Sequence, residues 1–191
     1  MHPAPPFEVG PAKSDDDLRA ILSLQASNHH SALSKSERLS QGFLSLRHSL
    51  ESLREMNAPW PHTVARAGTE VVGYALVTLP RHAPLAPDLS PMFARFESTP
   101  LHGKPIAAHR YFVMGQVCVA REHRGKGLLG AMYRSQARQM REAFDWSVTE
   151  INADNARSLA AHAREGWSEI DRYPDESGRF WAVVALDLHR E

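Results

Sequence analysis

The stretch Val117-Cys118-Val119-Ala120-Arg121-Glu122-His123-Arg124-Gly125-Lys126-Gly127-Leu128-Leu129-Gly130 constrains the fold more than any other. An apolar, β-prone run ends in a short basic, glycine-rich turn. Residues that are apolar at helical spacing follow it. The order strand, glycine turn, helix places several free backbone N–H groups at a helix N-terminus, next to the cations Arg124 and Lys126. Such a turn suits a phosphate or pyrophosphate.

Composition narrows the class. At 191 residues the chain is long enough for one well-filled core, and one domain spanning 1–191 is expected. A hydrophobic share of 42% and a charged share of 23% are those of an ordinary soluble protein. Lys plus Arg equals Asp plus Glu at 22 each, which argues against a general nucleic-acid binder. The single cysteine, Cys118, excludes an internal disulfide and fits a reducing compartment. No apolar run approaches the roughly 20 residues that span a bilayer. Met1-His2-Pro3-Ala4-Pro5-Pro6 has no apolar signal core. A cytoplasmic protein without nucleic-acid or membrane partners is expected.

The remaining elements follow from periodicity and caps. Phe7-Glu8-Val9 reads as a short strand. Ser14 before Asp15-Asp16-Asp17 reads as an N-cap with an acidic first turn, for a helix through Leu18, Ile21, Leu22 and Gln25 to about Ser27. A second short helix is expected around Ser36–Ser40 and a strand at Phe43–Leu46. Leu50, Leu53 and Met56 mark another helix, stopped by Asn57 and Pro59. His62–Arg66 and Val71–Leu79 form a hairpin around Ala67-Gly68-Thr69. Residues 80–110 hold six prolines and no sustained period, apart from a short helix at Leu89–Phe96. Tyr111–Ala120 reads as the central strand, and the helix after the glycine turn carries Leu128, Leu129, Met132, Met140 and Phe144. Trp146–Asn152 is the next strand. Asn155 then caps a helix to about Glu165, which Gly166 ends. Ser168–Tyr173 and Phe180–Leu188 close the chain as a hairpin. This order implies an α/β or α+β layered domain around a mixed sheet.

Gly125-Lys126-Gly127-Leu128-Leu129-Gly130 also matches the dinucleotide fingerprint G-x-G-x-x-G, with Glu150 about 20 residues beyond. The context argues against that reading. A charged linker, Arg121-Glu122-His123-Arg124, separates the strand from the first glycine. The motif also sits too late for the strands and helices such a fold still needs. The P-loop and kinase patterns are absent.

Arg124-Gly125-Lys126-Gly127-Leu128-Leu129 instead resembles the pyrophosphate loop of the GNAT superfamily, the acyl-coenzyme A dependent N-acyltransferases. That pattern is Gln or Arg, two residues, Gly, one residue, then Gly or Ala. Arg124 and Gly127 match it. Leu129 departs from it, with Gly130 one step later. A second block is similar to the family's later segment, the Asn-capped helix from Asn155-Ala156-Arg157-Ser158 through His162 to Gly166-Trp167.

The resemblance implies a GNAT-like domain, a twisted mixed sheet of about six to seven strands with helices on both faces. It implies transfer of an acetyl group from acetyl-CoA, as co-substrate and without a metal, to a primary amine in a ternary complex. The acceptor class stays open between a small-molecule amine and a peptide. A homodimer is compatible with the resemblance, although no self-complementary patch is visible. Acetyl-CoA would wedge between strands 111–120 and 146–152. Its pyrophosphate would meet Arg124, Gly125, Lys126, Gly127, Leu128, Leu129 and Gly130, and its pantetheine arm the backbone of Val117, Cys118 and Val119 and the side chain of Asn155.

Proton transfer needs a general acid and a general base. His162 is a candidate general acid for the departing sulfur, its alternative being a half-buried structural histidine. For the base, the central strand offers Gln116, which cannot take a proton usefully. Glu150, Tyr111 and His109 remain, or a water chain. Cys118 reads as a small buried hydrophobe rather than a covalent carrier. His29-His30 do not make a metal site. Residues 28–41 and 80–110 would border the acceptor, with Met92, Phe93, Phe96 and His102 lining it. The competing function is a non-catalytic acyl-CoA-binding sensor or partner module.

Overall fold

In the computed structural model, residues 7–29 and 47–190 are described. The helix expected at Ser36–Ser40 and the strand at Phe43–Leu46 lie outside them. In chain order the described elements are β1 (Glu8–Pro11), α1 (Asp15–Asn28), α2 (Leu50–Met56), β2 (Thr63–Ala67), β3 (Glu70–Ala75), α3 (Ser90–Phe96), β4 (Pro100–Leu101), β5 (Lys104–Pro105), β6 (Tyr111–Val113), β7 (Val117–Val119), α4 (Leu128–Met140), β8 (Trp146–Asn152), α5 (Ala156–Arg164), β9 (Ser168–Pro174) and β10 (Phe180–Asp187). They group into two compact units that alternate along the chain. One takes 7–29, 47–77 and 115–139, the other 78–114 and 140–190.

The first unit holds a four-stranded antiparallel sheet in the order β1-β2-β3-β7. Its two faces are built differently. Val64, Val71 and Tyr74 share one face, because a register shift between Ala65 and Arg66 turns Val71 to the side of Tyr74. That face packs Leu18 and Ile21 of α1 and Leu53 of α2 in one apolar cluster. Ser14 caps α1 as expected, its hydroxyl accepting from Asp17 N–H at 3.2 Å. The Asp17 carboxylate accepts in return from the Lys13 and Ser14 amides and pairs with Arg66 at 2.6 Å, tying the helix start to β2.

The other face carries small residues, Ala65, Gly73 and Ala75, and α4 lies against it. A Cβ on Gly73 would meet Met132 Cε at 3.3 Å and the Cys118 carbonyl at 3.2 Å, so glycine here sets how closely the helix approaches. Gln136 donates to the Ala75 carbonyl at 3.2 Å. Helices therefore cover both faces of this sheet.

The second unit holds a four-stranded mixed sheet, β6-β8-β10-β9, and the small hairpin β4-β5. β6 and β8 run parallel, and the other pairs are antiparallel. One face, with Tyr111, Val113, Val148, Val183 and Ala185, is buried under Met92 and Phe96 of α3 and under Leu101 and Ile106. The long proline-rich segment 80–110 is thus an ordered cover, built from 3-10 turns, α3 and a hairpin.

Two expectations are corrected. The central strand 111–120 is not continuous, because Met114-Gly115-Gln116 breaks it between β6 and β7. β6 pairs with β8, whereas β7 pairs with β3. The single sheet of six to seven strands is accordingly two four-stranded sheets. Among the described residues no helix is long and apolar enough to cross a membrane.

Candidate functional site

In the first unit, the glycine turn follows β7 through a 3-10 turn at Arg121–His123. Gly125 and Gly127 have φ of +75° and +76°, a region that side-chain-bearing residues rarely adopt. A Cβ at either would meet nothing within 4 Å, so glycine is required for conformation and the loop's outer surface stays open. The first turn of α4 bonds through Ala131 N–H to the Gly127 carbonyl. The amides of Leu128, Leu129 and Gly130 therefore head a 13-residue helix, with no backbone acceptor in the preceding turn among the described residues. Leu128 is buried and Leu129 half-buried, so both side chains turn inward while their amides face the loop.

Arg124 does something other than sequence alone suggests. Its guanidinium donates to the Val119 carbonyl at 2.9 Å and to Asn28 Oδ1 at 2.6 Å, bracing the loop against the end of β7 and the end of α1. Lys126 is exposed, with its ammonium 6.0 Å from the centre of the Phe7 ring.

β7 is the edge strand of its sheet. Leu76 N–H to the Gln116 carbonyl and Ala120 N–H to the Val72 carbonyl, both 2.8 Å, set the phase of its ladder with β3. That phase turns the Cys118 backbone toward Tyr74 and the Val117 and Val119 backbones toward the free edge. Val117, and Val119 through its N–H since its carbonyl takes Arg124, can thus offer main-chain groups to a ligand. Cys118 cannot, which corrects that expectation. Its thiol is buried, which pushes its pKa up to about 11 despite nearby Arg124, so it is no nucleophile at neutral pH. Gln116 accepts from the buried Tyr74 hydroxyl at 2.6 Å and serves packing.

The second unit holds the titratable candidates. The β6–β8 ladder runs from Tyr111↔Trp146 to Val113↔Val148, with Met114 N–H on the Val148 carbonyl. Beyond it, among the described residues, Thr149–Asn152 have no strand on that edge. Glu150 stands on this stretch, opposite Val183, on the face that 80–110 covers. Burial pushes its carboxyl up to about 7, against the opposing pull of Tyr173 and Arg95. Tyr173 O–H donates to Glu150 Oε1 at 2.5 Å. Burial, then that bond, holds the phenol well above its usual range, so it stays a donor. The other carboxyl oxygen, Oε2, has no hydrogen-bond partner among the described residues. Arg95 of α3 lies 4.8 Å from the centre of the Tyr173 ring and donates to Asp171 Oδ2 through Nε (2.9 Å) and a terminal nitrogen (2.6 Å).

The other base candidates are engaged or unsuited. Tyr111 is buried in the core, and burial pushes its hydroxyl up to about 12. His109 Nε2 sits 2.7 Å from the Leu101 carbonyl. Met92 and Phe96, expected to line the acceptor, are core residues, because their i, i+4 spacing puts both on the buried side of α3. Phe93 is half-buried against that core. His102, at the tip of the β4–β5 hairpin, lies tilted at 45° against Trp146, ring centres 4.9 Å apart, beside a depression of about 350 Å³.

Asn155 caps α5, its Oδ1 accepting from Ser158 N–H at 3.2 Å. His162 is 2% exposed, with Nδ1 2.8 Å from the Ser158 carbonyl and its ring edge-on to Trp167. Burial pushes its pKa down to about 4. At neutral pH it carries no proton to give as an imidazolium, which argues against the general-acid role expected for it. Among the described residues no three His, Cys, Asp or Glu gather as a metal site.

No protein-family sequence model and no curated sequence matches the chain. Its structure matches solved ones throughout. A GNAT-family putative acetyltransferase from Desulfovibrio desulfuricans superposes with a TM-score of 0.64 at 12% identity, over 95% of this chain and 99% of that one. The ribosomal-protein-S18-alanine N-acetyltransferase from Escherichia coli gives 0.61 at 11%, over 97% and 96%. The putative acetyltransferase yncA from Salmonella typhimurium, solved with acetyl-CoA, gives 0.59 at 17%, over 98% and 96%. The chain has the GNAT-superfamily fold.

Proposed function

We propose that the chain is an acetyl-CoA dependent N-acetyltransferase acting on a primary amine. The observation that carries this is the pairing of two features within the GNAT fold. One is a glycine loop with positive-φ glycines that leads directly into the first turn of α4. The other is a strand carboxyl, Glu150, that titrates near neutrality. The loop from Arg124 to Gly130 would take the pyrophosphate of acetyl-CoA through main-chain amides, helped by the positive end of the α4 dipole. Val117 and Val119 would bond the pantetheine arm as a strand would.

Glu150 is the general base. An ammonium has no lone pair, so one proton must leave before attack, and a carboxyl near pH 7 is matched to that task. The freed amine nitrogen adds to the thioester carbonyl. A backbone amide of β7 would meet the developing oxyanion. The C–N bond forms, the C–S bond breaks, and the second proton, still on the new amide nitrogen, passes to the departing sulfur, which leaves as the thiol of CoA.

The first acceptors to try are peptides with a free N-terminus. The E. coli neighbour is a ribosomal-protein-S18-alanine N-acetyltransferase. Another match is the NatC complex, solved with Gag peptide and CoA, with a TM-score of 0.64 at 13% identity. The test is thiol release from acetyl-CoA with a panel of peptides and small amines. Binding of CoA without thiol release toward any of them would favour the sensor reading instead.

A further inference from the structure

The cluster around Glu150 contains more than a base. From β9 come Tyr173, which donates to Oε1, and Asp171, two residues away on the same strand. From α3 comes Arg95, which grips Asp171 Oδ2 with two nitrogens and lies over the Tyr173 ring. Thr99, just past α3, places its hydroxyl on the Arg95 carbonyl at 3.0 Å and 3.4 Å from the same Asp171 oxygen. β10 contributes apolar Val183 opposite Glu150. One oxygen of the base is therefore held, and the other has no hydrogen-bond partner among the described residues.

We propose that Arg95, through Asp171 and Tyr173, is a positioning residue for Glu150: it fixes the phenol that holds Oε1 and so presents Oε2 to the acceptor. The proposal rests on the reading of Glu150 as the base. It assigns a role to α3, and so to the long 80–110 segment, that is not the role of a lining. The geometry gives the reason. Tyr173 reaches Glu150 from an outer strand and would be free to swing without the cation over its ring. Arg95 is itself fixed by a carboxylate on that same strand. The phenol and the guanidinium both favour the ionised carboxyl, whereas Asp171 disfavours it.

The signs make the proposal testable without knowing the acceptor. The protein is labelled with carboxyl-13C glutamate, and the Glu150 signal is assigned by its loss in Glu150→Gln. Its midpoint is followed by NMR in wild type, Tyr173→Phe, Arg95→Met and Asp171→Asn. The expected result is an upward shift of about half a pH unit or more in Tyr173→Phe and Arg95→Met, and a downward shift in Asp171→Asn. Mere loosening of the fold would hydrate the carboxyl and lower its midpoint in every variant. Unmoved or lowered midpoints in both Tyr173→Phe and Arg95→Met overturn the positioning role. Thiol release with an alanine-starting peptide tests the parent reading separately. If Glu150→Gln leaves that release unchanged, Glu150 is not the base, whatever the midpoints show.

Discussion

In the proposed reading, the glycine loop would hold a charged ligand and the Glu150 strand would move a proton, and the two are built in different ways. The loop works with backbone. Gly125 and Gly127 are exposed, the amides that follow head a helix, and Arg124 braces the turn rather than facing outward. The strand works with side chains. Its carboxyl is largely withdrawn from water, and its properties are set by three neighbours. The first kind of site depends on conformation and is insensitive to pH near neutrality. The second depends on burial and changes state there. Donor binding and proton transfer should therefore separate cleanly under mutation.

The sharpest break in that comparison is Glu150→Gln. Removing a general base costs about 10² to 10⁴ in rate. If Glu150 is the base proposed above, acetyl transfer to a peptide amine should fall by that much, while thermal protection by CoA stays at the wild-type level. In the wild type, kcat/KM should rise with pH through about 7 as Glu150 ionises. Equal loss of rate and CoA protection would show that the two regions do not divide the work.

Stability against pH separates Glu150 from its neighbour in the same unit. His162 is held near 4, below the ordinary histidine range, so the unfolded chain binds the extra proton between about 4 and 6.5. Its contribution is complete above 6.5 and lost as pH falls toward 4. Glu150 is raised to about 7, so here the folded chain binds the extra proton. Its contribution is present below about 4.5 and lost as pH rises through 7. Each amounts to roughly 3 kcal/mol at most, with opposite sign. Across the shared interval the two nearly cancel. Denaturant unfolding between pH 4.5 and 6.5 should therefore show Glu150→Gln losing stability on acidification and His162→Gln gaining it. The same slope in both variants would be incompatible with one or both shifts.

The loop should fail in the complementary way. Gly127→Val places a β-branched residue at a φ of +76°, a strain of about 1 to 3 kcal/mol. A Cβ there meets no neighbour, so the fault is conformational. CoA affinity should fall about ten- to a hundredfold by calorimetry, with Gly127→Ala between it and wild type. The Glu150 midpoint should not move. An unchanged affinity would mean that the phosphate contacts lie elsewhere.

The same contrast explains what could be read from the sequence. The loop is local: its glycines, basic residues and following helix are adjacent in the chain, and the pattern carries its own geometry. Ser14 and Asn155 as caps, the 62–79 hairpin and Trp146–Asn152 were legible for the same reason. The Glu150 cluster is assembled from residues 95, 150, 171 and 173, drawn from three elements, and no spacing announces it. The only local hint is that Asp171 and Tyr173, two apart on a strand, share a face. His162 misled because its position in a helix motif says nothing of burial, and burial reverses its chemistry. The interruption at Met114-Gly115-Gln116 was hidden within a run that is β-prone on both sides. What divides it is a change of pairing partner, which is a tertiary event.

Asn155 provides the finest test, because it belongs to a cap and to a proposed ligand contact at once. Its Oδ1 is spent on the Ser158 amide, whereas its amide nitrogen has no partner among the described residues. Asn155→Ala removes both and should cost about 1 kcal/mol of stability, which says nothing of the ligand. Asn155→Asp is the informative change, because aspartate caps a helix about as well and carries no N–H₂ donor. If the carboxamide bonds the pantetheine arm, Asn155→Asp should keep wild-type stability and bind CoA several-fold more weakly. A variant that is stable and binds CoA as wild type does would confine Asn155 to its cap. It would leave the main-chain edge of β7 and the loop amides as the donor's contacts, the backbone half of the comparison.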